Sequence, residues 1–381
     1  MGEPIPFAVP AIAEAEVDAV VRVLRSRWIT TGTESALLEE ELCTVTGAAH
    51  AVAVSSCTTA LEIAFAWLAL PPGARVGVPT WTFVASAAAP LRAGLEPVLL
   101  DVDPDTLNVS PASLAAALDE GLDAVVVVHF GGVGVAPEVL EMCAARGVPV
   151  VEDAAHALGT VDHRGPLAGR GTVGACLSFY ATKNVTSAEG GALLTDDADV
   201  AAFARTHRLH GLSKDAWRRY EPGADAQYGL DSIGIKANLP DLLAALARAQ
   251  LSRFDELQAR RRAAVERYRA HLEGAAGLRP VPAVAVDGSA DHLMVVMLDE
   301  GTDRARLVGE LGAAGIGTSV HFQPLHRFPL LAEACAVAPG GLATAEALAP
   351  RALSLPLHPD LTLDQVDRVC EVLLDALSGD R

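Results

Sequence analysis

The chain of 381 residues is 51% apolar, which is enough to fill one large and one smaller core and excludes a disordered protein. Its formal net charge of −19 argues against nucleic acid as a partner, because a phosphate backbone would be repelled. Its six cysteines form no CxxC pair, so we expect no metal site and a reducing compartment.

The N-terminal segment precedes the main pattern of the chain. It lacks a basic region followed by an apolar stretch, and no later apolar run is long enough to span a bilayer. We therefore expect a cytoplasmic protein that binds no membrane. Apolar residues at helical spacing predict an amphipathic helix over 13–26, and a second helix is predicted over 34–46. Thr30 and Thr31 lie between them, in a turn or in a polar loop that faces a ligand.

Between residues 50 and 153, short runs of Val, Leu and Ala alternate with segments of helical spacing. The predicted strands are 51–55, 75–79, 97–101, 123–130 and 148–153, and the predicted helices are 58–70, 82–93, 112–120 and 136–147. Strands without polar alternation are buried on both faces, which is typical of a mainly parallel sheet wrapped by helices. We therefore predict a doubly wound α/β domain.

Lys183 is one of only three lysines in the chain. The apolar runs 173–179 and 192–195 flank it, which places it in a short connection between two predicted strands. A side chain at such a position is aimed by rigid elements, and we interpret Lys183 as an imine-forming lysine. The alternative is a solvated loop lysine.

The C-terminal part changes its pattern after a polar stretch at 211–229, which is a candidate mobile loop. Helices are predicted over 197–210, 240–272, 303–315 and 362–378, and strands over 291–298 and 317–322. We predict an N-terminal segment and large α/β domain at 1–245 and a smaller α+β domain at 246–381.

A run of hydroxyl-bearing residues from Ser55 to Thr59 follows the first predicted strand and precedes a strong helix. The free backbone amides of a helix start, together with these hydroxyls, are suited to one phosphate group. Simple capping by Thr59 and Glu62 is an equal alternative. The chain has no phosphate-binding loop of the GxxxxGK[ST] type and no GxGxxG dinucleotide motif here.

Asp153 ends a buried predicted strand, and His156 follows three residues later. A carboxylate in that position needs a cation or several hydrogen-bond donors, and a protonated pyridine nitrogen is one such partner. Capping of the next segment is the alternative. Phe83, which follows the strand at 75–79, stacks on a flat ring or belongs to the core.

Nine motifs in a fixed order extend over nearly the whole chain. They are IPF (5–7), SRWITTGTES (26–35), VSSCTTAL (54–61), PTWTF (79–83), VEDAAHALGT (151–160), SFYATKN (178–184), SAEGGALLT (187–195), GIKANLPDLLAAL (234–246) and SLPLHPDLT (354–362). With these motifs the chain resembles the DegT/DnrJ/EryC1/StrS group of sugar aminotransferases. These are fold-type I enzymes that depend on pyridoxal 5'-phosphate (PLP) and have a mainly parallel sheet of seven-stranded type.

The resemblance implies a role for each matching residue. Lys183 forms the imine with PLP, Asp153 pairs with the pyridine nitrogen, and Phe83 stacks on the ring. The remaining cofactor contacts implied by the resemblance are His156 near the ring, Cys57, Thr58 and Ser178 at the phosphate, and Lys236 and Asn238 from the neighbouring subunit of a homodimer. Relatives usually have glycine where this chain has Cys57, so a left-handed backbone there would be strained.

The resemblance also implies the reaction. The closest motifs are those of the branch that aminates C4 of nucleotide-linked 4-keto sugars. The expected substrate is a dTDP- or UDP-linked 4-keto-6-deoxyhexose, with L-glutamate as amino donor. Thr30, Thr31, Lys214 and His321 are candidate substrate contacts. The alternatives are a 3-keto sugar, a cyclitol ketone, or a non-catalytic regulator on the same scaffold.

Overall fold

The computed structural model describes residues 3–212 and 229–378. The helices in these ranges are α1 (Glu14–Ser26), α2 (Thr33–Thr46), α3 (Cys57–Leu68), α4 (Ala85–Arg92), α5 (Pro111–Asp119), α6 (Pro137–Ala145), α7 (Ala198–His207), α8 (Asp241–Ser252), α9 (Phe254–Leu272), α10 (Arg304–Ala313), α11 (Pro329–Ala334), α12 (Ala343–Leu348) and α13 (Leu363–Ser378). The strands are β1 (His50–Val54), β2 (Arg75–Pro79), β3 (Glu96–Leu100), β4 (Ala124–Val128), β5 (Val150–Asp153), β6 (Val161–Asp162), β7 (Gly165–Pro166), β8 (Gly174–Ser178), β9 (Gly191–Thr195), β10 (Leu278–Val281), β11 (Met294–Leu298), β12 (Ala336–Val337) and β13 (Ala352–Leu355).

The large sheet has the strand order β1-β9-β8-β5-β4-β2-β3-β12. All neighbouring pairs are parallel except those that β9 makes with β1 and β8. Every residue of β4, with the sequence AVVVV, is buried, as expected for a strand covered on both faces. The predicted doubly wound α/β fold is therefore confirmed, with β12 as an eighth, two-residue strand at the edge.

Two hydrophobic clusters cover the two faces of this sheet. One contains Leu61 and Phe65 of α3, and the other contains Leu38 and Leu42 of α2 together with residues of α8. Burial of these side chains supplies most of the driving force that holds the helices against the strands. No helix in the described ranges is long and apolar enough to cross a membrane.

The predicted helical segment at 240–272 consists of two helices that meet at Arg253. This residue leaves the helical conformation, with φ −107° and ψ 10°. Its guanidinium bonds the fully buried carboxylate of Glu16, with an Nη1–Oε1 distance of 3.0 Å. The break lets α8 pack on α1 and α2, whereas α9 packs on α13.

The C-terminal part contains the antiparallel sheet β10-β11-β13, covered by α9, α10 and α13. Ile5 pairs with Ile316 and is buried in the same core, so the N-terminal segment completes this part. The strand predicted at 317–322 is wrong, because only Ser319 pairs, with Ser354, before the chain turns away. β12 returns to the large sheet and pairs with β3. The domain boundary at 245/246 stays a prediction.

Candidate active site

A cavity of about 350 Å³ opens at the carboxyl ends of the large sheet. Ligands of doubly wound folds bind at this edge, because the loops after the strands converge there. Its walls come from the segments after β1, β2, β5 and β8, from the C-terminal part and from the N-terminal segment. Its lining includes the side chains Phe7, Ser56, Cys57, Thr58, Thr82, Phe83, Asp153, His156, Ser178, Lys183, His292, His321 and Phe322.

Lys183 lies in the connection between β8 and β9, as predicted. The ends of this connection are tied together where the Phe179 amide donates to the Gly190 carbonyl at 2.8 Å. The Lys183 amide donates to the carbonyl of Tyr180 at 2.9 Å. Burial lowers the pKa of the Lys183 amine to about 8, although Cys57 and Asp153 act in the opposite direction. A fraction of the amine, roughly a tenth at pH 7, is therefore neutral.

The residue after this lysine fixes the connection to the C-terminal part. The amide nitrogen of Asn184 donates to Gln258 Oε1 at 3.0 Å and to the carbonyl of Ala290 at 2.6 Å. The amide oxygen of Asn184 accepts from His292 Nδ1 at 2.8 Å. All four groups are buried, and such a satisfied network holds one conformation. The backbone beside Lys183 is thereby anchored from behind.

Asp153 ends β5 with its side chain in the cavity wall. Its Oδ2 accepts from Ser86 Oγ at 2.7 Å, and its Oδ1 accepts from the amide of Ala155 at 3.2 Å. Ser86 Oγ also lies 2.8 Å from Thr82 Oγ1. These donors orient the Asp153 carboxylate, and the residue is only 5% exposed. No cationic side chain of the described residues lies within ion-pair distance of it. A cationic ligand group would meet that carboxylate favourably.

The start of α3 forms the end of the cavity next to β1. Ser56 is the N-cap, because its Oγ accepts from the amide of Thr59, while Thr59 Oγ1 accepts from the amide of Ser56. Thr59 thus belongs to a capping box, but its partner is Ser56 and the predicted box with Glu62 is wrong. Cys57 begins the helix without a positive φ, so the expected strain is absent. Burial, reinforced by Asp153, raises the pKa of the Cys57 thiol well above its ordinary value. A Cβ on Gly191 would lie 2.6 Å from the Cys57 amide nitrogen, which explains a glycine there.

Aromatic rings form the remaining wall. Phe83 is 56% exposed although it is apolar, so its ring is open to the cavity. The ring centroids of His156 and His292 are 4.3 Å apart with the ring planes tilted by 36°, and His156 Nδ1 accepts from the amide of Gly131. His321 stacks on Phe7 of the N-terminal segment with 5.3 Å between centroids. The wall offers flat apolar surfaces with neutral imidazoles among them.

These imidazoles predict a pH-dependent stability. Burial, with a contribution from Lys183, lowers the pKa of His321 to about 4 and moves the pKa of both His156 and His292 well below the ordinary value. The unfolded chain binds protons on these groups below about pH 6.5, whereas the folded chain does not. We therefore expect the free energy of unfolding to fall as the pH drops from about 6.5 to about 4.

Denaturant unfolding between pH 4 and pH 8 measures this effect. His321→Gln is expected to flatten the slope, and His163→Gln, at an exposed position, is the matched control. A His321→Gln slope equal to that of wild type would show that this imidazole does not contribute.

A profile of known proteins matches residues 10–374. It is that of the DegT/DnrJ/EryC1/StrS aminotransferase family. The chain belongs to this family. Its members are PLP-dependent sugar aminotransferases, so the predicted family, enzyme class, fold type and cofactor are confirmed. The protein is accordingly a sugar aminotransferase of the DegT family.

Individual relatives match over nearly their whole length. The chain is 38% identical to the spore coat polysaccharide biosynthesis protein SpsC of Bacillus subtilis, over 98% of this chain and 97% of SpsC. Helicobacter pylori PseC, an aminotransferase involved in the biosynthesis of pseudoaminic acid, superposes with a TM-score of 0.90 at 26% identity, covering 99% and 100% of the two chains. Spr1654 of Streptococcus pneumoniae, solved in a PLP form, superposes with a TM-score of 0.88 at 28% identity and 99% coverage of both chains.

The cavity of this DegT-family enzyme fits PLP on its own geometry. The buried Asp153 carboxylate has room for a cationic partner, which suits a protonated pyridine nitrogen. The start of α3 offers backbone amides and the Thr58 hydroxyl to a phosphate group. The exposed ring of Phe83 offers a stacking face, and Lys183 offers a neutral amine.

The structure brings together eight of the predicted site residues, namely Cys57, Thr58, Phe83, Asp153, His156, Ser178, Lys183 and His321. A second group lies apart. Lys236 Nζ donates to Asn238 Oδ1 at 2.5 Å, and Asn238 Nδ2 donates to Thr31 Oγ1 at 2.5 Å. Thr30 bonds the Asp241 amide through its carbonyl. None of these four lines the cavity in the described part of this chain. Lys214 lies outside the described residues.

Sequence reasoning missed Ser86, which bonds Asp153, and His292, whose ring contacts that of His156. Ser86 follows Phe83 by three residues, so the start of α4 was a usable signal for a side chain at the same strand end. His292 is more than 100 residues from the groups it contacts. Local pattern carries no signal for such a contact.

Proposed function

We propose that this enzyme transfers the amino group of L-glutamate to C4 of a dTDP- or UDP-linked 4-keto-6-deoxyhexose. The observation that carries the proposal is that Lys183, with its lowered pKa, and the oriented Asp153 carboxylate line the same cavity. The motifs EDAAH and GIKANL, which resemble those of the C4 branch, support the choice of the 4-keto sugar.

PLP, when bound, supplies an electron sink for the negative charge that develops on the carbon next to the transferred nitrogen. Lys183 Nζ is the group that removes and returns the proton in that reaction, because its neutral amine is a base at working pH. The Asn184 network keeps Nζ in place while the proton moves, since it anchors the adjacent backbone. Proton transfer is thus assigned to one side chain.

Asp153 is assigned the electrostatic role. With PLP bound, its carboxylate would stabilise a proton on the pyridine nitrogen and so strengthen the electron sink. Ser86 and the Ala155 amide orient the carboxylate before substrate arrives, so no reorganisation is needed during the reaction. Phe83 and His156 are assigned the two ring contacts beside it.

Cys57, Thr58 and Ser178 are assigned to the phosphate of the cofactor. We assign Lys236 and Asn238 to the phosphate of a neighbouring subunit, which makes the working form a homodimer with shared sites. Their separation from the cavity of their own chain supports this assignment. The six cysteines are all unpaired, which supports a reducing compartment such as the cytoplasm.

The substrate itself is assigned to the outer part of the cavity. His321, which stacks on Phe7 and is bonded to Ser354 through Nδ1 at 3.0 Å, is the proposed contact from the C-terminal part. Thr30 and Thr31 are the proposed contacts from the neighbouring subunit, and Lys214 is a further proposed contact. Two hydroxyls and an ammonium group suit a diphosphate linkage, which offers only acceptors.

The substrate test uses the pyridoxamine form of the purified enzyme, prepared with L-glutamate. We expect the yellow absorbance of the PLP form to return on adding a 4-keto-6-deoxy nucleotide sugar, with the amino sugar as product. The 3-keto isomer and a cyclitol ketone serve as comparison substrates. If only one of these restores the absorbance, the C4 assignment is wrong, whereas the transaminase assignment stands.

A further inference from the structure

Arg261 is a buried arginine on α9 without a described acidic partner. It is 3% exposed, and no described carboxylate lies within 4.0 Å of its guanidinium. Its one described hydrogen bond runs from Nη1 to the Leu357 carbonyl at 3.3 Å, and its Nε bonds no described group. Burying a cation without a carboxylate partner costs free energy, so a charge kept at this position needs an explanation.

Arg261 lies next to the lysine of the active site. Arg261 and Lys183 line the same small cavity of about 10 Å³, which is separate from the large cavity. Gln258, three residues earlier on α9, bonds Asn184. Residues at this spacing lie on one helix face, so α9 presents a neutral amide and then a cation to the lysine connection.

We propose that Arg261 is a positioning residue that favours the neutral form of the Lys183 amine, an inference that rests on the proposed role of Lys183. A fixed positive charge next to a second amine disfavours its protonation. Arginine suits this task because its guanidinium stays protonated where a lysine or histidine would lose its proton. Burial lowers the pKa of Arg261 only to about 10, so it stays charged at neutral pH.

The other ionisable groups around the pair act in known directions. The groups that interact electrostatically with Lys183 are Cys57, Asp153, His156, His292 and His321. Those that interact electrostatically with Arg261 are Asp291, His292 and His358. Asp153 and Cys57 favour the ammonium form of Lys183, whereas burial and Arg261 oppose it. Asp291 favours the charge on Arg261 but also pairs with the exposed Arg262, at 3.6 Å. Arg261 is therefore the fixed cation that opposes the carboxylate at Lys183.

The test measures the titration of Lys183 directly in the full-length chain without cofactor. The chain has only three lysines, so ¹³C labelling at the lysine Cε gives three signals, and Lys183→Ala assigns the one of interest. In Arg261→Met we expect the titration midpoint of Lys183 to rise by roughly 0.5–1 pH unit, because a like charge is removed.

Arg262→Met is the matched control, since it removes the same charge from the next position of α9, where the side chain is 55% exposed. Its Lys183 midpoint should equal that of wild type. An unchanged midpoint in folded Arg261→Met, or an equal rise in Arg262→Met, would overturn the proposal. If Arg261→Met does not fold, Arg261→Gln, which can still bond the Leu357 carbonyl, decides in its place.

This titration needs neither cofactor nor sugar, so its outcome is separate from that of the proposed function. Absorbance of the PLP-loaded wild type shows independently whether Lys183 carries the cofactor. If the PLP-loaded wild type lacks that absorbance while the Lys183 midpoints differ as expected, the proposed function is contradicted. The electrostatic effect of Arg261 is then still supported.

Discussion

Replacing Lys183 by alanine is expected to lower kcat by roughly 10³-fold or more, because the variant loses both the imine and the group that moves the proton. The fold should be kept, since Lys183 is only half-buried at the cavity wall and Asn184 anchors the connection. The measurement is the steady-state consumption of L-glutamate with added PLP and a saturating keto-sugar substrate. We expect no yellow band from the purified variant.

Added methylamine is the control for this prediction, since a small primary amine can enter the space left by the side chain and restore part of the proton transfer. Thermal unfolding of the variant tests that the fold is intact. A kcat above a tenth of the wild-type value would show that another group moves the proton.

Asp153→Asn is expected to reduce kcat by roughly 10²–10⁴-fold while the protein still binds PLP. The asparagine has nearly the same shape and still accepts the hydrogen bond that Ser86 donates, but it has no charge to keep the pyridine nitrogen protonated. The loss should appear in kcat rather than in KM for L-glutamate, because the missing interaction matters most as charge develops on the ring.

Ser86→Ala is the companion variant for Asp153. It keeps the carboxylate but removes the donor that orients it, so a smaller loss is expected, on the order of tenfold. Equal activity of Asp153→Asn and wild type would contradict the electrostatic role. A larger loss in Ser86→Ala than in Asp153→Asn would contradict the order of effects proposed here.

Most of the large sheet was predictable because its strands are long apolar runs with turns between them. β4 and β5 lie within the predicted strands at 123–130 and 148–153. β12 could not be predicted, because a strand of two residues has no period and depends on pairing with β3. The break between α8 and α9 at Arg253 could not be predicted either, because arginine is a good helix former and its ion-pair partner Glu16 is distant in sequence.

The candidate site, like the fold, was predictable only in part. Asp153 and Lys183 could be found because strand ends of a parallel sheet converge at one edge. The side chains that surround these two residues could not be predicted from the sequence. Arg261 is separated from Lys183 by 78 positions in the sequence, and its position three residues after Gln258 acquires meaning only when α9 is seen to cross behind the connection.

The pairing of Ile5 with Ile316 has a consequence for the order of events on the ribosome. The chain is made from its N-terminus, so the first segment emerges roughly three hundred residues before its partner, or roughly 15–60 s earlier at elongation rates of about 5–20 residues per second. Phe7, two positions after Ile5, stacks on His321 only after that delay. The large sheet can thus begin to form early in translation, whereas the outer wall of the catalytic cavity closes near its end. A nascent chain that stops before residue 316 should consequently be folded in part but unable to enclose a sugar.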